Sequence, residues 1–179
     1  VAIDGQLAGI VSFEDKLRPE SKATIEALQK LGYKKLLLVT GDNTANAQKV
    51  AASVGINEAS VTANALPADK LRTIEAIDDR PVVFVGDGVN DAPVLTAADV
   101  GIALGARGST AASESADIVI MHDDIQRVAT AAAIARRTFR IATQSILVGI
   151  VISIGLMGVF ATVKLSPLTG PILQEAVDV

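Results

Sequence analysis

The chain of 179 residues is half apolar, carries a formal net charge of −4 and has a positive mean hydropathy, which suggests one soluble domain with a membrane appendage. The Lys and Arg residues before residue 130 are scattered among acids, so no basic stripe suits a nucleic-acid backbone and nucleic acid is not expected as a partner. With no cysteine, disulfides and cysteine metal sites are excluded within this stretch, in keeping with a reducing cytoplasm.

Residues 1 to 13 alternate around Asp4-Gly5, the pattern of two short strands joined by a tight turn. The opening Val1-Ala2-Ile3-Asp4-Gly5 has neither a start Met nor a signal-peptide pattern, and the chain reads as beginning mid-protein. Apolar residues at Ala23, Ile25, Ala27, Leu28 and Leu31 predict a helix that Gly32 ends, with Pro19 in its first turn. Lys35 to Val39 is a short apolar run, expected as a strand buried on both faces. The cycle then repeats: helix Thr44 to Val54, a strand near Val61, helix Ala68 to Ile77, strand Val82 to Val85, helix Ala92 to Ala97, and strands Val100 to Ala103 and Ile118 to Ile120. Alternation of this kind implies an α/β fold, a parallel sheet with helices on both faces.

A helical pattern starts at Asp124, and no charged residue occurs from Ile141 to Val163, a stretch long enough for a bilayer core that needs about 20 residues. Arg136, Arg137 and Arg140 stand on its N-terminal side and set the topology, placing residues 1 to about 140 in the cytoplasm. Gly149, Ser153, Gly155 and Gly158 keep the helix slim, as packing against other membrane helices requires. Residues 164–171 read as a turn and 172–179 as the start of a further helix, cut short. The expected division is therefore 1–137 and 138–179.

In an open parallel sheet, function gathers where strands end. Thr40-Gly41-Asp42-Asn43 follows the first apolar strand, and Gly86-Asp87-Gly88-Val89-Asn90-Asp91-Ala92-Pro93 follows Val82 to Val85. Asp87 and Asp91, four apart across a strand-to-helix turn, form with an amide a hard oxygen site suited to Mg²⁺ holding a phosphate. Turns also favour Gly, Asp and Asn for conformational reasons alone. A bare turn preference leaves Lys70 unexplained, whereas a lysine aimed at the same crevice would neutralise phosphate charge in the transition state.

Thr40-Gly41-Asp42, Lys70 and the run GDGVNDAP from Gly86 to Pro93 resemble the second, third and fourth motifs of the haloacid-dehalogenase-like superfamily, in the form carried by P-type ATPases. The resemblance covers the whole chain and implies a haloacid-dehalogenase-like, Rossmannoid phosphorylation domain followed by a transmembrane helix and the start of another. It implies ATP hydrolysis through an aspartyl phosphate, with Mg²⁺ and ATP as cofactors, coupled to cation transport. Asp87 would be the direct Mg²⁺ ligand, with Asp91 and Asn90 supporting metal and phosphate. Thr40 and Gly41 would hold phosphate oxygens, Lys70 would pair with the phosphate, and Asp42 would order the loop and help bind nucleotide. Asp15-Lys16-Leu17-Arg18-Pro19 resembles the family's Asp-Arg element near the nucleotide-binding domain, which makes Asp15 and Arg18 candidates for nucleotide contact. The family's nucleophilic aspartate sits in an Asp-Lys-Thr-Gly-Thr run that this sequence lacks, so the segment alone is expected to be inactive.

One membrane helix, a brief turn and a new helix after GDGVNDAP, together with Gly105 to Ile120, resemble the heavy-metal class. An integral protein of the bacterial plasma membrane is implied, whose partners are ATP, a heavy-metal cation, the lipid bilayer and the preceding domains of the same pump. The helix 141–163 lacks the Asn and Tyr usual in copper pumps and the lysine usual in zinc and cadmium pumps, so copper is disfavoured and no other metal takes its place. Glu175 and Asp178 are either ligands for the transported ion or helix-start acids favoured by the dipole. His122, beside Asp123-Asp124, reads as a surface residue. Two other classes share some features: a free-standing phosphatase of the superfamily, which has no use for 141–163, and a non-catalytic membrane adaptor, which has no need of Lys70, Asp87 and Asp91 together.

Overall fold

The computed structural model describes residues 1–3, 5–10, 16–86, 89–105 and 110–162. It divides into two compact units, Val1–Thr130 and Ala131–Val179.

The first unit opens with a hairpin of β1 (Ala2–Ile3) and β2 (Gln6–Leu7), paired antiparallel. Gly5 sits at φ +79°, the left-handed turn geometry that glycine adopts without strain. Helix α1 (Ser21–Lys30) has Glu20 as its N-cap. Pro19 therefore precedes the cap instead of lying in the first turn, because Glu20 O is the first carbonyl bonded by the helix, taking both the N–H and the Oγ1 of the buried Thr24.

Strand β3 (Leu38–Val39) pairs in parallel with β4 (Val61–Thr62), Leu38 opposite Val61 and Val39 opposite Thr62. The apolar run from Lys35 is thus mostly outside the strand, and it is not buried on both faces: Leu37 is 48% exposed and Leu38 and Val39 are half-buried. Among the described residues β3 has β4 as its one strand neighbour. Helix α2 (Thr44–Val54) lies between them. Its cap Asn43 accepts from Asn46 N–H at 3.0 Å, it ends on Gly55 at φ +81°, and Ala47, Ala51 and Val54 form its buried stripe. Helix α3 (Pro67–Glu75) follows β4, with Pro67 in its first turn and the Asp69 carboxylate accepting from Leu66 N–H.

Strands β5 (Val83–Gly86), β6 (Val100–Leu104) and β7 (Ile118–Ile120) form a parallel sheet in that order. After a 3-10 turn at Val89–Asp91, helix α4 (Ala92–Ala97) crosses from β5 to β6, and α5 (Thr110–Ser115) from β6 to β7. The central strand β6 is covered on both faces. Ala103 packs with Leu95 of α4, and Ile102 and Leu104 pack with Ile120 and with Val128 at the start of helix α6 (Gln126–Thr162). Alternate side chains of a strand point to opposite faces, so a strand covered twice must be apolar throughout. Gly101 fits because a Cβ there would stand 2.5 Å from Leu95 O. Val94, Ile74 and Val82 complete the core beneath α3 and α4.

Two aspartates pin the starts of these strands in the same way. Asp99, just before β6, accepts from Val82 N–H at 2.6 Å and donates its own N–H to Val82 O at 3.0 Å. Asp117, just before β7, accepts from Gly101 N–H at 2.8 Å and donates to Gly101 O at 2.9 Å. Arg80 also binds the Asp99 carboxylate, at 2.8 Å. The Arg80 guanidinium and the Val82 N–H hold the Asp99 carboxyl below the ordinary aspartate range.

Helix α6 crosses the division between the units. Over Gln126–Val159 it is the one helix among the described residues long and apolar enough to cross a membrane. Phe139, Ile150, Val151 and Met157 are all exposed on it.

Candidate active site

Three chain segments meet at the strand ends of the first unit. Asp91 ends the turn after β5 and is 6% exposed. Its Oδ1 accepts from Lys70 Nζ at 2.9 Å, across 21 residues of sequence. Lys70 lies one turn into α3, so Pro67 and the Asp69 bond to Leu66 N–H, which fix where that helix begins, also fix where the lysine points. A carboxylate this buried is stable only with a charged partner, and removal of either group leaves the other unpaired. Gly86 makes room for it, since a Cβ at 86 would lie 2.9 Å from Asp91 Oδ2 and 2.9 Å from the Phe84 ring.

The second segment is the loop after β3. Thr40 continues the ladder with β4 through its N–H to Thr62 O, 2.9 Å, and its carbonyl accepts from Ala65 N–H, 2.9 Å. Its hydroxyl oxygen accepts from Asp42 N–H at 3.1 Å, which leaves the hydroxyl proton to donate elsewhere. Gly41 N–H has no acceptor among the described residues, and Gly41 and Asp42 are exposed.

The third segment, between β4 and α3, was not singled out from the sequence. Asn64 N–H donates to Asp42 O at 2.7 Å, its amide nitrogen donates to Thr44 Oγ1 at 3.3 Å, and its φ is +53°. Its sequence signal is faint: asparagine is the non-glycine residue that most readily takes this backbone conformation.

Lys70 and Asp91 are thus joined directly, and Thr40, Gly41 and Asp42 are bonded to the loop that leads into the lysine helix. Asn90 is exposed beside Asp91. Arg18 meets Asp123, its guanidinium donating to the carboxylate across 105 residues, a partner the sequence did not suggest. His122 is exposed, and among the described residues no group of three or more His, Asp or Glu is placed to hold a metal. Asp87, Asp15, Glu175 and Asp178 lie outside the described residues.

Residues 1–99 match the haloacid dehalogenase-like hydrolase family. The chain belongs to that family. This haloacid dehalogenase-like chain is 40% identical over 151 residues to the cadmium, zinc and cobalt-transporting ATPase of Bacillus subtilis, covering 82% of itself and 21% of that protein. It is 41% identical over 175 residues to copper-transporting ATPase 1 of Rhizobium meliloti, covering 97% of itself and 21% of that protein. The structure of a zinc-transporting PIB-type ATPase in the E2.Pi state matches with a TM-score of 0.75 at 33% identity, over 98% of this chain and 28% of that one. The resemblance to heavy-metal P-type ATPases and the haloacid-dehalogenase-like fold are both borne out. The chain spans about a quarter of the length of these relatives.

Proposed function

We propose that the chain is the rear half of the phosphorylation domain of an ATP-driven heavy-metal cation pump, residues 1–137, with the adjoining membrane region, residues 138–179. The observation that carries this reading is the part-buried Lys70–Asp91 bond at the turn after β5, in a chain that continues into a helix apolar enough to cross a bilayer.

The donor set around Asp91 suits Mg²⁺, because it is all oxygen: the Asp87 and Asp91 carboxylates with the Asn90 amide. Asp91 gives Oδ1 to Lys70 and keeps Oδ2 on the side of Gly86. When bound, the ion supplies charge neutralisation at phosphate oxygens. The remaining chemistry falls to the chain's own groups. Lys70 screens phosphate charge as it builds in the transition state. The Thr40 hydroxyl, its oxygen already bonded by Asp42 N–H, offers its proton to a phosphate oxygen, and Gly41 offers its N–H. Asp42 orders that loop. The nucleophilic aspartate comes from the family's Asp-Lys-Thr-Gly-Thr run, and the cargo is a heavy-metal cation, for which Glu175 and Asp178 are proposed ligands. Residues up to about 140 lie in the cytoplasm, and 141–163 cross the membrane.

The test is phosphorylation by labelled ATP with Mg²⁺, an acid quench and a hydroxylamine challenge, which cleaves acyl phosphates. The full-length protein should take up hydroxylamine-sensitive label and lose nearly all of it in Asp87→Asn. Residues 1–179 alone should take up none. Label on the isolated segment would place a nucleophile within it and overturn the half-site reading.

A further inference from the structure

We infer that Asn64 is a positioning residue that locks the Thr40–Asp42 loop to the start of the lysine helix by holding the backbone left-handed between them. The inference rests on the reading of that loop as the phosphate-binding one. Asn64 is the one non-glycine residue among those described with a positive φ, +53°. That turn of the backbone aims its N–H at Asp42 O, 2.7 Å away, while the next N–H, of Ala65, reaches Thr40 O at 2.9 Å. The Asn64 amide nitrogen adds a bond to Thr44 Oγ1 at 3.3 Å, in the first turn of α2. Two residues further on, Leu66 caps α3, and Leu66 O accepts from Lys70 N–H at 3.0 Å.

The consequence is a continuous mechanical path. The loop that offers Thr40 and Gly41 is bonded to Asn64 and Ala65, these lead directly into α3, and α3 carries Lys70 to Asp91. A loop able to shift relative to Lys70 would present its donors at varying distances from a phosphate, and small misplacements of such donors lower rates strongly. Asparagine accepts the left-handed region more readily than other side chains, glycine accepts it freely, and a β-branched residue resists it.

The experiment uses the full-length pump in membranes, with Asn64→Gly, Asn64→Ala and Asn64→Val compared by the orthovanadate concentration that halves ATPase activity, with kcat and the ATP KM. Orthovanadate is the probe because it mimics the transferred phosphate. Asn64→Val should raise that concentration about tenfold and lower kcat, and Asn64→Ala should do so by a smaller factor. The ATP KM should move less than about twofold, and Asn64→Gly, which keeps the left-handed backbone and loses only the bond to Thr44, should be impaired less than Asn64→Ala. Should Asn64→Val fail to reach the membrane, Asn64→Ala against Asn64→Gly carries the same comparison. Wild-type vanadate sensitivity in the substituted proteins, or a glycine variant as impaired as the valine or alanine one, overturns the inference. A wild-type protein that forms no phosphoenzyme instead overturns the pump reading on which it rests.

Discussion

Lys70 Nζ and Asp91 Oδ1 stand 2.9 Å apart, and the carboxylate in that bond is almost wholly shielded from water. Helix α3 supplies one member and the turn before α4 the other, so the pair ties two crevice motifs into one unit. Lys70→Ala should cut ATP hydrolysis by the full-length protein more than about 100-fold, because it removes the charge proposed to screen the phosphate and strands Asp91. It should also destabilise the fold by about 3 kcal/mol, read as a lower melting temperature. Lys70→Met with Asp91→Leu should recover most of that stability and none of the activity. A double variant whose loss equals the sum of the losses of Lys70→Met and Asp91→Leu made singly would mean the pair is not coupled.

Two glycines should differ in what they break. Gly86→Ala places a methyl 2.9 Å from Asp91 Oδ2 and 2.9 Å from the Phe84 ring, so activity should fall severalfold together with the melting temperature, because Asp91 is held by Lys70 and Phe84 packs on the core. Gly101→Ala meets Leu95 O at 2.5 Å, a backbone atom, and should cost about 1–3 kcal/mol of stability. The check is thermal melting beside ATPase rate for both variants. An unchanged melting temperature in either variant would contradict the packing.

Asp99 should contribute to the acid limb of stability. The Arg80 guanidinium and Val82 N–H lower its folded-state pKa. Between that lowered value and the ordinary one, the unfolded chain binds the proton and the folded chain does not. The contribution is therefore present above the ordinary aspartate pKa and is lost as pH falls through the lowered one. Asp79, lowered by Lys35, acts in the same direction on the surface. Urea midpoints measured from about pH 6 to pH 3 should fall less steeply in Asp99→Asn than in wild type. Parallel curves would remove Asp99 from the account.

Residues 1–140 alone should stay in solution where residues 1–179 need detergent, because the uncharged stretch that follows is the proposed membrane span. Sedimentation after a high-salt wash is the measurement. A truncated chain that still pellets with membranes would move the boundary toward the N-terminus.

The elements were legible in the sequence wherever their cause is local. Helix α2 spans the Thr44 to Val54 expected from the sequence, its caps Asn43 and Gly55 acting on backbone groups within a turn of themselves, while α3 begins at Pro67, one residue before the expected Ala68, and ends at Glu75 instead of Ile77. Of the two six-residue helices, α4 was expected and has Pro93 in its first turn, whereas α5, which has no such start signal in Thr110–Ser115, was not. The turn content of GDGVNDAP alone did not separate a phosphate site from an ordinary turn; that reading came from its combination with Thr40-Gly41-Asp42 and Lys70. The tertiary structure decided which distant groups meet. Lys70 with Asp91, Arg18 with Asp123 and Asp117 with Gly101 are bonds between residues 21, 105 and 16 positions apart, and each exists only because elements distant in sequence pack together. The same holds for the half-exposed β3 and for the left-handed Asn64, whose backbone is set by the carbonyl it must reach on a neighbouring loop. Local sequence sets propensity and caps, whereas a long-range pair depends on strand neighbours that the residues themselves do not name.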